Sequence, residues 1–211
     1  MSNIIPAYFI QLYHQWGFIL PIILLCSCLS IYVMIERFCV FYLTKLRTKR
    51  LIESLTFSLY QQNLDDAIIT CKTNGLVGEL FAAAIERKEK SKEIIEESIE
   101  RNATKVTIYL ERNLQILATI GSTAPFIGLL GTVFGIIKTF KGISLIQYSY
   151  ATNIITNGIA QALVNTAAGL LVSIPAIIAY NFFTTKINRF LEELEVYSSE
   201  VIETLKEQNN S

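Results

Sequence analysis

Three stretches of this sequence carry no charged side chain: residues 1–35, residues 113–137, and everything between Lys141 and Lys186. Each exceeds the roughly 18 apolar residues that read as a membrane span. In hydrocarbon every backbone N–H and C=O must find a partner within the chain, so a lone apolar run of this kind crosses as a helix. The fold class follows as all-α, an integral membrane protein with three transmembrane helices. Charged residues make up 17% of the chain, against about 25% in a soluble domain. The formal net charge is zero, so bulk charge does not point to nucleic acid.

The distribution of Lys and Arg orients the spans. Lys45, Arg47, Lys49 and Arg50 follow the first run at once, and basic residues collect on the cytoplasmic side. The expected order is an outer N-terminus at 1–16, span one at 17–42, a cytoplasmic helical region at 43–112, span two at 113–137, an outer loop at 138–153, span three at 154–185 and a cytoplasmic tail at 186–211. Trp16, Phe18 and Tyr42 lie at the edges of span one, where aromatic side chains favour the interface. No Lys or Arg precedes that run, which argues against a cleavable signal peptide and for an uncleaved anchor. Twenty-five helical residues cover about 38 Å and a bilayer core about 30 Å. Spans two and three therefore project past the membrane, mainly into the cytoplasm.

In the cytoplasmic region Asn63 is placed to cap a helix with Asp65 and Asp66 in its first turn. Asn74-Gly75 suits a left-handed end to it. Residues 78–90 read as a second helix. Ser91 can cap a third, with Ile95, Ile99, Val106 and Tyr109 near one face. No Pro or Gly interrupts residues 91–120, so this third helix is expected to continue unbroken into span two. The mixed charges from Glu86 to Arg101 fit a solvated helix face or a docking surface. The tail is helical in pattern with a disordered end.

Spans two and three each carry a stripe of small and weakly polar residues. Gly121, Pro125, Gly128, Thr132, Gly135 and Thr139 recur at steps of four and three, as do Ala162, Thr166, Gly169, Ser173 and Ala176. Such spacing keeps a stripe aligned along a helix. One reading is close packing, since small residues let membrane helices approach and hydroxyls bond across the contact. The other is a narrow polar path or a slot for a further helix. Gln161 and Asn165 lie one turn apart beside the second stripe, and an amide in a membrane seeks a partner.

The absences matter as much. Neither 113–137 nor 154–185 contains Asp, Glu, His, Lys or Arg, and proton relays use ionisable groups inside the membrane. If protons cross here, water or a partner's carboxylate must carry them. Lys138 and the Glu36-Arg37 pair stand at span ends, where snorkelling is the simplest reading. The four cysteines, Cys26, Cys28, Cys39 and Cys71, read as small apolar side chains. There is no CxxC and one histidine, His14, so a zinc site or a Ser/His/Asp triad lacks parts. Residues 128–135 are glycine-rich but lack the GK[ST] of a phosphate loop. No cofactor and no enzymatic activity are expected.

Long ordered motifs carry a resemblance. Residues 122–136 (STAPFIGLLGTVFGI), 158–170 (GIAQALVNTAAGL) and 174–181 (IPAIIAYN), with 63–71 (NLDDAIITC) and 110–120 (LERNLQILATI), resemble the ExbB/TolQ/MotA proton-channel family. The resemblance covers roughly residues 17–185, and three spans favour its ExbB/TolQ branch, ExbB first. It implies a multi-pass protein of the bacterial inner membrane that self-associates as a pentamer. Spans two and three would line a central pore holding helices of an ExbD-like or TolR-like single-span partner. That partner's membrane aspartate would take up and release protons, and a TonB-like or TolA-like protein would receive the motion. Thr132 and Thr166 match the family's pore threonines. Gln161, Asn165 and Ser173 join them along the implied path, with Pro125, Gly128, Gly135, Ala162 and Gly169 packing the pore face. Gln161 stands where relatives carry glutamate. Glutamine cannot carry a proton, so the position either only hydrogen-bonds or conduction is weaker or differently routed. Contacts with membrane lipid, and none with nucleic acid, complete the expectation.

Overall fold

The computed structural model describes residues 18–61, 63–143 and 151–210. The expected outer N-terminus 1–16, with His14 and Trp16, lies outside the described residues, as do residues 144–150 of the expected outer loop. The described elements are all helices: α1 Ile19–Tyr60, α2 Leu64–Lys72, α3 Gly75–Ile85, α4 Lys92–Glu111, α5 Leu114–Ile143 and α6 Ala151–Asn210. Three segments, Ile19–Tyr60, Leu114–Lys141 and Ile155–Lys206, are long and apolar enough to cross a membrane.

The helices divide into two compact units. The first holds α1 up to Ile35, all of α5, and α6 up to Asn181. Its core is thin: Ile19 and Ile23 of α1, Ile120 and Ala124 of α5, Val172 and Ala176 of α6. Around it Leu25, Phe126, Leu171 and Ile178 are exposed by 63–75%. Large apolar side chains facing outward over an entire helix set need an apolar solvent, which lipid provides.

The second unit holds α1 from Glu36, α2 to α4, and α6 from Phe182. Here the pattern is that of a water-soluble bundle. Leu51, Leu55 and Leu59 recur every four residues on α1 and are buried, as are Ile187, Phe190, Leu194, Val201 and Leu205 on α6. Phe41 and Phe190 meet edge to face with ring centres 6.1 Å apart. Almost all of α3 is buried, from Val77 to Ile85 apart from Glu79, and Ala84 packs with Ile95 and Ile202. Lys45–Glu193 (3.6 Å) and Lys72–Glu86 (2.7 Å) are exposed ion pairs, a kind that contributes less than about 1 kcal/mol. The Lys72 ammonium, hydrogen-bonded to Glu86, holds that carboxyl below its ordinary value. This small contribution is present above that ordinary value and fades as pH falls through the lowered one.

Several local expectations hold. Asn63 caps α2, its Oδ1 accepting from the Asp66 N–H at 3.4 Å. Gly75 takes φ +67°, the left-handed conformation glycine adopts without strain. Others do not. The third helix and span two are not one helix: α4 ends at Arg112 (φ −49°, ψ 137°), Asn113 takes φ +64°, and the Ile116 N–H starts α5 on the Asn113 carbonyl at 3.1 Å. Asparagine tolerates the left-handed region better than other non-glycine residues, so the break needs neither Gly nor Pro. The buried face of α4 runs through Ile95, Ser98, Asn102, Val106 and Leu110. Ile99 is half-buried, and Tyr109, expected on that face, is 42% exposed. Helix α3 spans Gly75–Ile85 and not 78–90. Ser91 holds the N-cap position of α4 without a side-chain capping bond. The tail is helical as far as Asn210, and Ser211 lies outside the described residues. Lys138 and Lys141 fall within α5.

Cys71 lies in α2 at zero exposure, and burial pushes its thiol up to about 12 from 9.0. The buried site therefore favours the neutral thiol. Its contribution to stability is complete below the unfolded value of 9.0 and is lost as pH rises from there toward 12. Maleimide at pH 8 should leave Cys71 unlabelled in the folded protein and label it after denaturation, as read by mass spectrometry of the 64–72 segment.

Candidate functional site

The two small-residue stripes meet each other. A Cβ placed on Gly128 would lie 2.8 Å from the Asn165 carbonyl oxygen and 3.0 Å from Thr166 Cα, and one on Gly169 would lie 2.6 Å from the Ala124 carbonyl oxygen. Backbone thus touches backbone, an approach only glycine permits. The contact continues along both helices. Gly121 sits on Ile177, Gly135 on Ala162 and Gly158 on Thr139. Gly121, Gly128, Thr139, Ala162, Gly169, Ser173 and Ala176 are buried, while Pro125, Thr132, Gly135 and Thr166 are half-buried.

The hydroxyls bond to backbone carbonyls, and one of these bonds has a specific cause. Pro125 lies inside α5 and has no N–H, so the carbonyl four residues earlier, that of Gly121, loses its helical donor. The Ser173 hydroxyl donates to that carbonyl from α6. Thr166 donates to the Gly128 carbonyl at 3.2 Å, a second bond from α6 to α5. Thr132 donates within its own helix to Leu129 O at 2.6 Å, and Thr139 to Gly135 O at 2.8 Å.

Gln161 is half-buried, and Asn165, one turn on, is 5% exposed. Asn165 packs on Gly131, where a Cβ would come within 2.7 Å of Asn165 Cβ and 2.9 Å of Ile19 Cγ2. The three spans therefore converge on Gly131. The Oδ1 of Asn165 is buried there and accepts no hydrogen bond among the described residues.

Two features lie outside the stripes. Thr119, Ser122 and Thr123 are exposed near the start of α5, their hydroxyls donating to Gln115 O or Thr119 O at 2.7–3.1 Å. They lie off the small-residue stripe, and hydroxyls in a span without ionisable groups are the signal that could have found them. Arg37 does not snorkel as its place at the span end suggests: its side chain is 4% exposed. Its guanidinium donates to the carbonyls of Tyr109 (3.2 Å) and Leu110 (3.3 Å) and pairs with Glu36 at 2.5 Å. The break at Arg112–Asn113 leaves the last carbonyls of α4 without helical donors. A cation at this negative helix end supplies donors and charge together. A charged residue set between apolar Ile35 and Phe38 was the available clue.

Three apolar spans, two of them joined backbone to backbone with hydroxyls and amides and with no Asp, Glu, His, Lys or Arg in 113–137 or 154–185, define a multi-pass membrane protein built around a tight helix pair. The sequence comparisons specify it further. Residues 72–196, more than half of the chain, match the model of the MotA/TolQ/ExbB proton channel family, and the chain belongs to that family. It is 42% identical over 91 residues to the Tol-Pal system protein TolQ of Pseudomonas aeruginosa, covering 43% of this chain and 39% of that protein. It is 38% identical over 122 residues to the biopolymer transport protein ExbB of Pseudomonas putida, covering 58% and 37%. It is 39% identical over 104 residues to the ExbB of Salmonella typhimurium, covering 49% and 42%. The chain thus spans about two fifths of the length of these relatives.

Two sets of substitutions test the geometry. Ser173→Ala, which leaves the Gly121 carbonyl without a donor, should destabilise the protein by about 1–3 kcal/mol. Gly128→Leu should cost at least as much, because the helix backbones must separate. Arg37→Ala should cost about 1–3 kcal/mol by leaving the Tyr109 and Leu110 carbonyls without donors, and Arg37→Lys should not restore it, lacking the planar fork. Denaturant unfolding of the purified protein in detergent reads all four.

Proposed function

We propose that this chain is the channel-and-scaffold subunit of an energy-transducing complex in the bacterial inner membrane, one that uses the proton-motive force to drive TonB-dependent transport across the outer membrane. It is a subunit that conducts or supports, not a catalyst. The observation that carries the reading is the pairing of α5 and α6: membership of a proton-channel family joined to a span pair with hydroxyls and amides but no Asp, Glu, His, Lys or Arg within 113–137 or 154–185. A conducting complex built on this pair takes its titrating group from elsewhere. An ExbD-like or TolR-like single-span partner supplies it as a membrane aspartate.

In this reading the N-terminus is outside and the second unit is cytoplasmic, as the Lys and Arg placement argues. Copies of the chain assemble around the partner as a pentamer, with Thr132 and Thr166 toward it. Their half-burial in the isolated chain leaves part of each side chain for such a contact, and half-buried Gln161 joins them. Asn165 and Ser173, buried in the helix pair, shape the path from behind, with Pro125, Gly128, Gly135, Ala162 and Gly169 holding the packing. A TonB-like protein receives the motion. The 42% identity to a TolQ favours a second reading, in which TolR-like and TolA-like partners serve outer-membrane integrity and cell division.

Proton flux into proteoliposomes tests the proposal, with the chain alone, with its ExbD-like partner, and with that partner lacking its membrane aspartate. Flux is expected only with the intact partner. Thr132→Val and Thr166→Val should each abolish energised transport while assembly survives. Flux from the chain alone, or unchanged transport in both variants, would overturn the assignment.

A further inference from the structure

Between α4 and the second half of α6 lies an open groove of about 650 Å³. Its floor is apolar, with Leu80, Leu194 and Ile202 beneath and Ile108, 67% exposed, at one end. On α4 it runs from Glu96 to Ile108, about 18 Å of helix. Its walls carry Glu96 and Glu100 on α4 and Glu192 and Glu195 on α6, and no Lys or Arg lines it. Glu96 pairs with Lys92, while Glu100, Glu192 and Glu195 form no ion pair among the described residues.

The same unit carries a matching surface on another helix. Leu43, Arg47, Arg50, Ser54 and Phe57 of α1 recur at steps of four and three and are all exposed. Leu43 is 51% and Phe57 64% exposed, and neither arginine forms an ion pair among the described residues. This stripe is about 21 Å long. It is not the side of α1 that packs in its own chain: Leu51, Leu55 and Leu59 do that, and no residue of α1 lines the groove.

We propose that the groove between α4 and α6 seats the outward stripe of α1 from a second copy of this chain. The two surfaces are similar in length, and each has an apolar component. One offers unpaired arginines and the other unpaired glutamates, the complementarity of a helix laid into a groove. Because the two patches differ, the contact is heterologous, and such contacts close into rings when the rotation permits. The inference rests on the reading of the chain as a homo-oligomer and assigns the surface by which neighbours dock.

The test uses the full chain in membranes, with Cys26, Cys28 and Cys39 changed to Ser and Cys71 to Ala. Ser54→Cys on the stripe and Thr104→Cys in the groove are then added. Oxidation should give a ladder of covalent multimers on denaturing gels, whereas a bond within one chain would leave the monomer band. Arg47→Glu with Arg50→Glu should cut cross-linking about tenfold, the effect of about 1.4 kcal/mol. Adding Glu100→Arg with Glu195→Arg should restore it. A ladder indifferent to both reversals overturns the charge pairing. An oligomer by light scattering in detergent that gives no ladder overturns this surface, leaving the groove to another occupant and the oligomer reading intact. A monomer in that measurement overturns both.

Discussion

Where Gly128 and Gly169 bring the backbones of α5 and α6 into contact, they set the terms for everything else in the apolar unit. Hydrocarbon supplies no water to satisfy a stray carbonyl. A proline in the middle of a span is therefore tolerable only if another group reaches the carbonyl it frees. Ser173 reaches Gly121 because the helices are close. A side chain the size of leucine at Gly128 would push α6 away and strand the carbonyl that Pro125 has already deprived of its donor. The glycines, the proline and the serine form one dependent set, and the threonine bond from Thr166 to Gly128 O belongs to it as well.

The spans were legible because hydropathy and charge are local properties: a run without Asp, Glu, Lys or Arg needs no tertiary information to be seen. The stripes were legible for a similar reason, since steps of three and four report a helix face directly. What the stripes face was not. Small residues at that spacing suit packing and a lined path equally, and the contact of Gly135 with Ala162 emerges only once both helices are placed. The break at Arg112–Asn113 carried one weak mark, an asparagine, which favours helix ends and tolerates a positive φ, while residues 91–120 offered no Gly or Pro. The role of Arg37 was hidden for a different reason: its carbonyl partners are 72 and 73 residues away in sequence. The family, by contrast, was visible in ordered motifs that required no geometry.

The break and the buried arginine belong together. A helix that ends inside a packed unit exposes carbonyls where water has little access, and each unsatisfied one costs about 1–3 kcal/mol. The Glu36-Arg37 pair answers with two donors whose charge is already balanced on the neighbouring residue, which limits the cost of burying it. Arg37 thereby closes off the C-terminal end of α4.

The hydroxyls of the span pair have one further property. A threonine or serine owns a single proton and two lone pairs. Half-buried Thr132 and Thr166 each donate that hydrogen to a backbone carbonyl, as buried Ser173 does within the helix pair, so what the two threonines keep free is lone pairs alone. Toward a neighbouring group this surface is an acceptor. It welcomes a neutral carboxylic acid or a water, either of which brings its own hydrogen, and offers nothing to a bare carboxylate.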